Sequence, residues 1–167
     1  MLFFYFCRLN NTNINVMANT YSQIHIQTVF AVQDRLSLLN KSWREDLYRY
    51  ITAIIQNNGH KMLAIGGVED HVHLFFGLRP NESISHLVQE VKRDSSVWIN
   101  QNHLVRGRFS WQEGFGAFSY HRDLIPVVCG YIGNQEEHHR RKSFHEEYVD
   151  LLKEFNVEYD ERFVFHS

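Results

Sequence analysis

The residues IHIQTVFAV (24–32) alternate, with Ile24, Ile26, Thr28 and Phe30 on one side and His25, Gln27 and Val29 on the other. That is the period of a strand with one strongly apolar face. After Asn40 the period lengthens: Trp43, Leu47, Ile51, Ile54 and Ile55 recur at helical spacing until Asn58-Gly59 supplies a stop. Lys61 to Val68 and His71 to Leu78 read as two further strands, a hairpin joined at Glu69-Asp70. The stretch SISHLVQEVKRDSSVWIN then sets Ile84, Leu87, Val88, Val91 and Trp98 along one helical stripe behind Ser83 as N-cap. Phe109 to Tyr120 (FSWQEGFGAFSY), with glycines among alternating aromatics, predicts a bent or bulged fourth strand. A helix is expected from Asp123 to about Lys142, with Pro126 in its first turn, where the missing N–H costs little. Ser143 opens a last helix through a capping box with Glu146. The order β-α-β-β-α-β with appended C-terminal helices is that of a ferredoxin-like antiparallel sheet in an α+β fold.

Composition adds boundaries to this pattern. A chain of 167 residues with 44% hydrophobic content suits one compact domain. Its opening MLFFYFC is too short for a membrane span and lacks the flanks of a signal peptide, and NNTNIN behind it reads as disorder. Residues 1–16 are therefore expected to be a dispensable tail or an over-called start, with residues 17–167 as the single domain. Cys7 and Cys129 lie far apart without a secretory signature, which predicts reduced thiols in a cytoplasmic protein that meets no membrane. The net charge of −2 conceals an uneven distribution. From Ser143 onward seven acids face Lys153 and Arg162, a net of −5, so residues 1–142 carry +3.

The candidate chemistry begins at VEDHVHLFFGL (68–78). On a strand, Val72, Leu74, Phe76 and Leu78 point one way while His71, His73 and Phe75 point the other, so the two imidazoles share a face at a distance one divalent ion can bridge. Two half-buried histidines satisfied by hydrogen bonds would show the same spacing. The later helix changes the picture. In YIGNQ, Tyr131 and Gln135 are one turn apart; if that face lies over the histidines, Gln135 can give a carbonyl oxygen as third ligand and Tyr131 a phenol oxygen nearby. Gly130 and Gly133 weaken this helix, which suggests a need for close backbone approach or local mobility beside the tyrosine. His138-His139 invites a metal reading too, but adjacent helical residues diverge by about 100°.

HVH on a strand, YIGNQ on a later helix and SWQEGFGAFSY between them resemble the small single-tyrosine HUH transposases of insertion sequences, the insertion-sequence-two-hundred-like group. The resemblance runs from about Tyr21 to Phe165. It implies that His71 and His73 are the HUH pair, that Gln135 completes a metal site for Mg²⁺ with Mn²⁺ able to substitute, and that Tyr131 is the nucleophile. It also implies cleavage and rejoining of single-stranded DNA through a 5′-phosphotyrosine, on hairpin ends of the protein's own element. A homodimer whose tyrosine helix packs on the partner's histidines, giving composite sites, is implied as well.

Lys92, Arg93, Arg106, Arg108, Arg140, Arg141 and Lys142 are the candidate DNA contacts. Trp111, Phe115 and Tyr120 could stack unpaired bases or simply pack the core. Three other readings fit parts of the sequence. A DNA-binding regulatory protein of the same fold would have no need of the tyrosine. A metal-dependent hydrolase would need an acid or base beside the histidines, for which Asp70 is the near candidate. A ferredoxin-like dimer without catalysis would leave the histidines, Tyr131 and Gln135 without a common purpose.

Overall fold

The computed structural model describes residues 21–164; the expected N-terminal tail and Cys7 lie outside them. Four strands form one antiparallel sheet: β1 (His25–Ala31), β2 (Lys61–Gly67), β3 (His71–Gly77) and β4 (Gly116–Ser119), in the order β2-β3-β1-β4. Helix α1 (Lys41–Asn57) connects β1 to β2 and helix α2 (Ile84–Gln101) connects β3 to β4. This is the ferredoxin-like arrangement that the element order predicts. Asn40 caps α1 by accepting from Ser42 N, and Ser83 caps α2 by accepting from His86 N. Each cap satisfies a backbone donor that the first helical turn leaves without a partner.

Alternation in the strands divides the interior in two. Ile26 and Phe30 of β1 and Val72, Leu74 and Phe76 of β3 point toward α1 and α2, where they meet Leu47, Ile51, Ile55, Leu87, Val88 and Val91. The opposite face is covered as well. Helices α3 (Ile125–Gly133), α4 (Gln135–His139) and α5 (Phe144–Glu154) follow β4. Val128 and Ile132 of α3 pack on Phe75, while Phe144, Tyr148, Leu151 and Leu152 of α5 pack with Val29, Ala31 and Phe118. His71 and His73 therefore lie inside a second layer boundary and are fully buried, on a face less apolar than its opposite but no less enclosed. None of the described helices is long and apolar enough to cross a membrane.

Two elements differ from expectation. The fourth strand is four residues long, not the whole of Phe109 to Tyr120; upstream, only an isolated bridge pairs Trp111 with Val32. Phe109 and Trp111 are instead core side chains, edge-on to one another with ring centroids 5.0 Å apart, and the Trp111 indole N–H donates to Ser95 Oγ at 2.9 Å. Core packing, not base stacking, is what Trp111 does, while Phe115 and Tyr120 are half-buried against apolar neighbours. The long helix from Asp123 to Lys142 is also broken. A 3-10 turn (Arg122–Leu124) leads into α3, with Pro126 in its first turn, and Asn134 separates α3 from the short α4. The glycine-containing end of α3 has weak helical propensity and little to lose by ending there. The last helix carries the capping box as expected, with Ser143 accepting from Glu146 N and the Glu146 carboxylate accepting from Ser143 N.

Candidate active site

The centre of the second face is built by β3, α4 and α5 with α3 at its rim. His71 donates from Nδ1 to Asp70 Oδ1 at 2.7 Å, and Asp70 in turn accepts from the Arg35 guanidinium. Burial opposes ionisation of Asp70, but its bonds to His71 and Arg35 outweigh it and lower the carboxyl to about 2. Burial pushes the His71 imidazole down to about 4 against the attraction of Asp70, so at neutral pH the ring is uncharged with its proton on Nδ1. Its Nε2 lone pair then faces two acceptors, Gln135 Oε1 at 3.3 Å and Glu147 Oε2 at 3.6 Å. Asp70 thus orients a histidine; it is not placed as the base of a water-activating hydrolase.

His73, two residues along, is held by the other strand. Gln27 Nε2 lies 2.9 Å from His73 Nδ1, which in this orientation puts the ring proton on Nε2, 3.5 Å from Glu147 Oε2. Both His73 Nε2 and Gln27 Oε1 are buried without a hydrogen-bond partner among the described residues. An end-for-end turn of the Gln27 amide would let Oε1 accept from Nδ1–H and leave Nε2 bare, so this one amide sets which tautomer the histidine adopts.

Glu147 is the group that sequence reading missed. It belongs to α5, where Phe144, Glu147, Tyr148, Leu151 and Leu152 share the buried face. A carboxylate within such a stripe is the signal in the sequence, masked by its neighbour Glu146, whose capping role accounts for an acid at that point. Only 2% of Glu147 is exposed. Its Oε1 accepts from Tyr131 Oη–H and from Gln135 Nε2 at 2.9 Å, while its Oε2 accepts from His139 Nε2 at 2.9 Å. Burial favours the neutral acid, yet the bond from His139 and the nearby His73 and His71 imidazoles hold this carboxyl far below the usual carboxylate range.

His139 also bonds the Lys142 carbonyl through Nδ1 at 2.9 Å, so both ring nitrogens face acceptors. Despite its burial, the Glu147 bond and charge raise its pKa, as two donor positions require. The rings of His138 and His139 stand 87° apart, yet both face Glu147: His139 Nε2 lies 2.9 Å from Oε2 and His138 Nε2 3.6 Å from Oε1. Tyr131 is shifted upward by burial and by the Glu147 charge, so its hydroxyl is a firm hydrogen-bond donor here.

The donor set suits a divalent cation. His71, His73 and Glu147 each offer a ligand atom within 4.8 Å of the others, with Gln135 Oε1 alongside. The separations of 3.5 and 3.6 Å between the carboxylate oxygen and the two imidazole nitrogens match the edge between neighbouring ligands bound at ~2.1 Å about one ion. A bare imidazole nitrogen facing a carbonyl and a carboxylate oxygen lacks a proton to bind them; a cation is what such a cluster accommodates.

With this geometry in place, the comparison with known proteins is decisive. Residues 20–135 match the family described as IS200-like transposase. The chain belongs to that family. The match takes in His71, His73, Tyr131 and Gln135 and stops before Glu147. Among solved structures, a candidate transposase from Deinococcus radiodurans R1 superposes with a TM-score of 0.54 at 21% identity, covering 70% of this chain and 94% of that one. A REP-associated tyrosine transposase bound to a REP hairpin superposes with a TM-score of 0.56 at 15% identity, covering 72% and 71%. Both share the fold of this transposase-family chain. No curated protein matches it by sequence.

In this family member α3 lies on β2 and β3 of the same chain. The approach is close at Gly66 of β2, where a Cβ would stand 2.2 Å from the Ile132 carbonyl oxygen. Gly130 and Gly133 behave differently from the expectation of close approach, since a Cβ on either would meet nothing within 4 Å. Of the two roles their presence suggests, local mobility is the one compatible with the packing.

A cavity of about 550 Å³ opens beside Tyr131, lined also by Asn134, Glu137, His138, Arg141 and Lys142. Arg140 and Arg141 pair with Glu137, and Lys142 with Asp150, all at the surface. Arg106 and Arg108 are exposed on the connection before β4. On the far side of the molecule Lys92 turns inward, its ammonium donating to the carbonyls of Gln112 and Gly114, so it secures the bend ahead of β4; Arg93 bonds Asp94 at 2.7 Å.

Proposed function

We propose that this chain cleaves and rejoins single-stranded DNA through Tyr131, in the transposition of an insertion sequence. The observation that supports the reading is the convergence of the Tyr131 hydroxyl, the two histidines and the Gln135 oxygen around one buried point beside an open cavity. The Tyr131 oxygen attacks the scissile phosphorus. A phenolic O–P bond forms and the P–O3′ bond breaks; the phenol proton leaves the tyrosine, and the departing 3′ oxygen takes one up. The products are a 5′-phosphotyrosine and a 3′-OH. Phenolate, with an ordinary pKa near 10, is a better leaving group than an alkoxide, so a DNA 3′-OH can reverse the step and rejoin strands without a nucleotide cofactor.

His71, His73 and Gln135 would hold the divalent ion, Mg²⁺ or the more imidazole-tolerant Mn²⁺. Such an ion, when bound, would neutralise charge on the scissile phosphate, leaving these residues to hold it for in-line attack. Asp70 and Gln27 orient the two histidines. Arg141 and Lys142 at the cavity, with Arg140 next to them in sequence and the exposed Arg106 and Arg108, would engage DNA phosphates, as would Arg93; Lys92 contributes through the bend it secures.

The substrate would be a strand at a hairpin end of the protein's own element, in the cytoplasm and within the single domain described. Joining two ends calls for two nucleophiles, hence an isologous homodimer. Because α3 brings Tyr131 to His73 of its own chain, we favour two complete sites in that dimer, with composite sites, each tyrosine helix on the partner's histidines, as the alternative. Mixing Tyr131→Phe chains with His71→Ala/His73→Ala chains should then restore no cleavage, and restoration would establish exchange of the tyrosine helix. The primary test is incubation with labelled single-stranded DNA from the flanks of the gene and Mg²⁺ or Mn²⁺, with denaturing gels. A covalent protein–DNA band is expected; binding without it would favour a regulatory DNA-binding role.

A further inference from the structure

We propose that Glu147 couples the nucleophile to the metal, its Oε2 acting as the anionic ligand of the ion and its Oε1 positioning the Tyr131 hydroxyl. This rests on the reading of Tyr131 and the histidine pair given above. The two carboxylate oxygens already face different partners: Oε2 stands 3.5 Å from His73 Nε2 and 3.6 Å from His71 Nε2, whereas Oε1 accepts from Tyr131 and from Gln135. His73 Nε2 is fully buried, without a hydrogen-bond partner among the described residues, and aimed into the same space.

Charge points the same way. Two imidazoles and an amide form a neutral set, whereas Mg²⁺ and Mn²⁺ are hard cations that favour carboxylate oxygen. Glu147 supplies the missing negative charge from α5. His139 Nε2 stands 2.9 Å from the same Oε2. A carboxylate bridging ion and phenol would tie the attacking oxygen to the position of the ion, so that phosphate and nucleophile are aligned by one side chain. The family match ends at Gln135, so this element of the site comes from the C-terminal segment of the chain.

The test is Mn²⁺ binding by titration calorimetry and electron paramagnetic resonance on the full chain without DNA, comparing wild type with Glu147→Gln. The variant keeps the shape and one acceptor oxygen but loses the charge, an amide N–H2 taking the place of the second acceptor. Mn²⁺ affinity is expected to fall at least tenfold, a change of the size seen when groups around metal ligands are lost. At saturating Mn²⁺ the variant should still form the DNA adduct more slowly than wild type, because Tyr131 loses its anionic acceptor. A Glu147→Gln/His139→Gln double variant, neutral on both sides, provides the same comparison should the single variant fold poorly. If wild type binds Mn²⁺ and these variants bind it equally well or more tightly, the ligand role is wrong and Glu147 merely fills the site. If wild type itself binds no Mn²⁺, the histidine–metal reading falls with it.

Discussion

The two faces of the sheet use the same alternation to opposite ends. Toward α1 and α2, β1 and β3 present Ile26, Phe30, Val72, Leu74 and Phe76 to helices whose buried stripes are almost wholly apolar. Toward α3, α4 and α5 the same strands present Gln27, His71 and His73, which meet Gln135, His139 and Glu147. One face holds the molecule together through the transfer of apolar surface from water. The other encloses charges and polar groups whose mutual attraction roughly offsets the cost of removing them from water, so its value lies in what it positions. Burial by itself does not distinguish a core from a site. The partners of the buried atoms do.

That contrast can be broken most sharply at Tyr131. Tyr131→Phe should abolish the covalent DNA adduct on denaturing gels, while urea denaturation shows a loss within about 1 kcal/mol, the scale of one hydrogen bond. The ring would keep its edge-on contact with His73, whose centroid is 5.8 Å away. An adduct that survives would move the nucleophile elsewhere, with Tyr120 the next candidate. On the other face, Leu47→Ala should cost about 2–5 kcal/mol in the same denaturation experiment through a cavity between helix and sheet. It should leave Mn²⁺ affinity of the folded fraction unchanged; a matching loss of affinity would show that the two faces are not separable.

Gly66→Ala probes the junction of the faces. The added methyl must displace the Ile132 backbone, so α3 should shift, with a stability cost of about 1–3 kcal/mol typical of overpacking. Adduct formation should fall more than Mn²⁺ binding does, because Tyr131 rides on α3 while both histidines are on β3. Equal losses would place the damage in the sheet. The smallest effect is expected at Gly130→Ala, where the new methyl meets open space and a helical glycine is replaced: a gain of roughly 0.5–1 kcal/mol. If mobility of α3 serves the reaction, adduct formation slows in that stabilised variant; an unchanged rate would remove the mobility role.

Much of this was legible in the chain itself. The period-2 strands, the capped helices and their order lead directly to the ferredoxin-like sheet, because each signal is local: side-chain direction follows backbone period, and caps follow from the donors a first turn leaves open. The histidine pair belongs here too, since two residues apart on a strand means one face. So does the pairing of Tyr131 with Gln135, which survives the break at Asn134 because Asn134 N still bonds the Gly130 carbonyl and keeps the turn close to helical.

What no local period could decide was what the C-terminal helices would cover. Docking of α3 on Gly66 depends on complementarity between segments 66 residues apart, and it brings Tyr131 to the histidines of its own chain. Placing Glu147 and His139 against them depends on the same long-range packing, as does turning Lys92 inward to the carbonyls of Gln112 and Gly114. Charges carry no period that tells a solvated one from a buried, paired one. Only the tertiary structure, by deciding which water each group loses and which partner replaces it, separated Glu146 at a helix cap from Glu147 at the centre of the site.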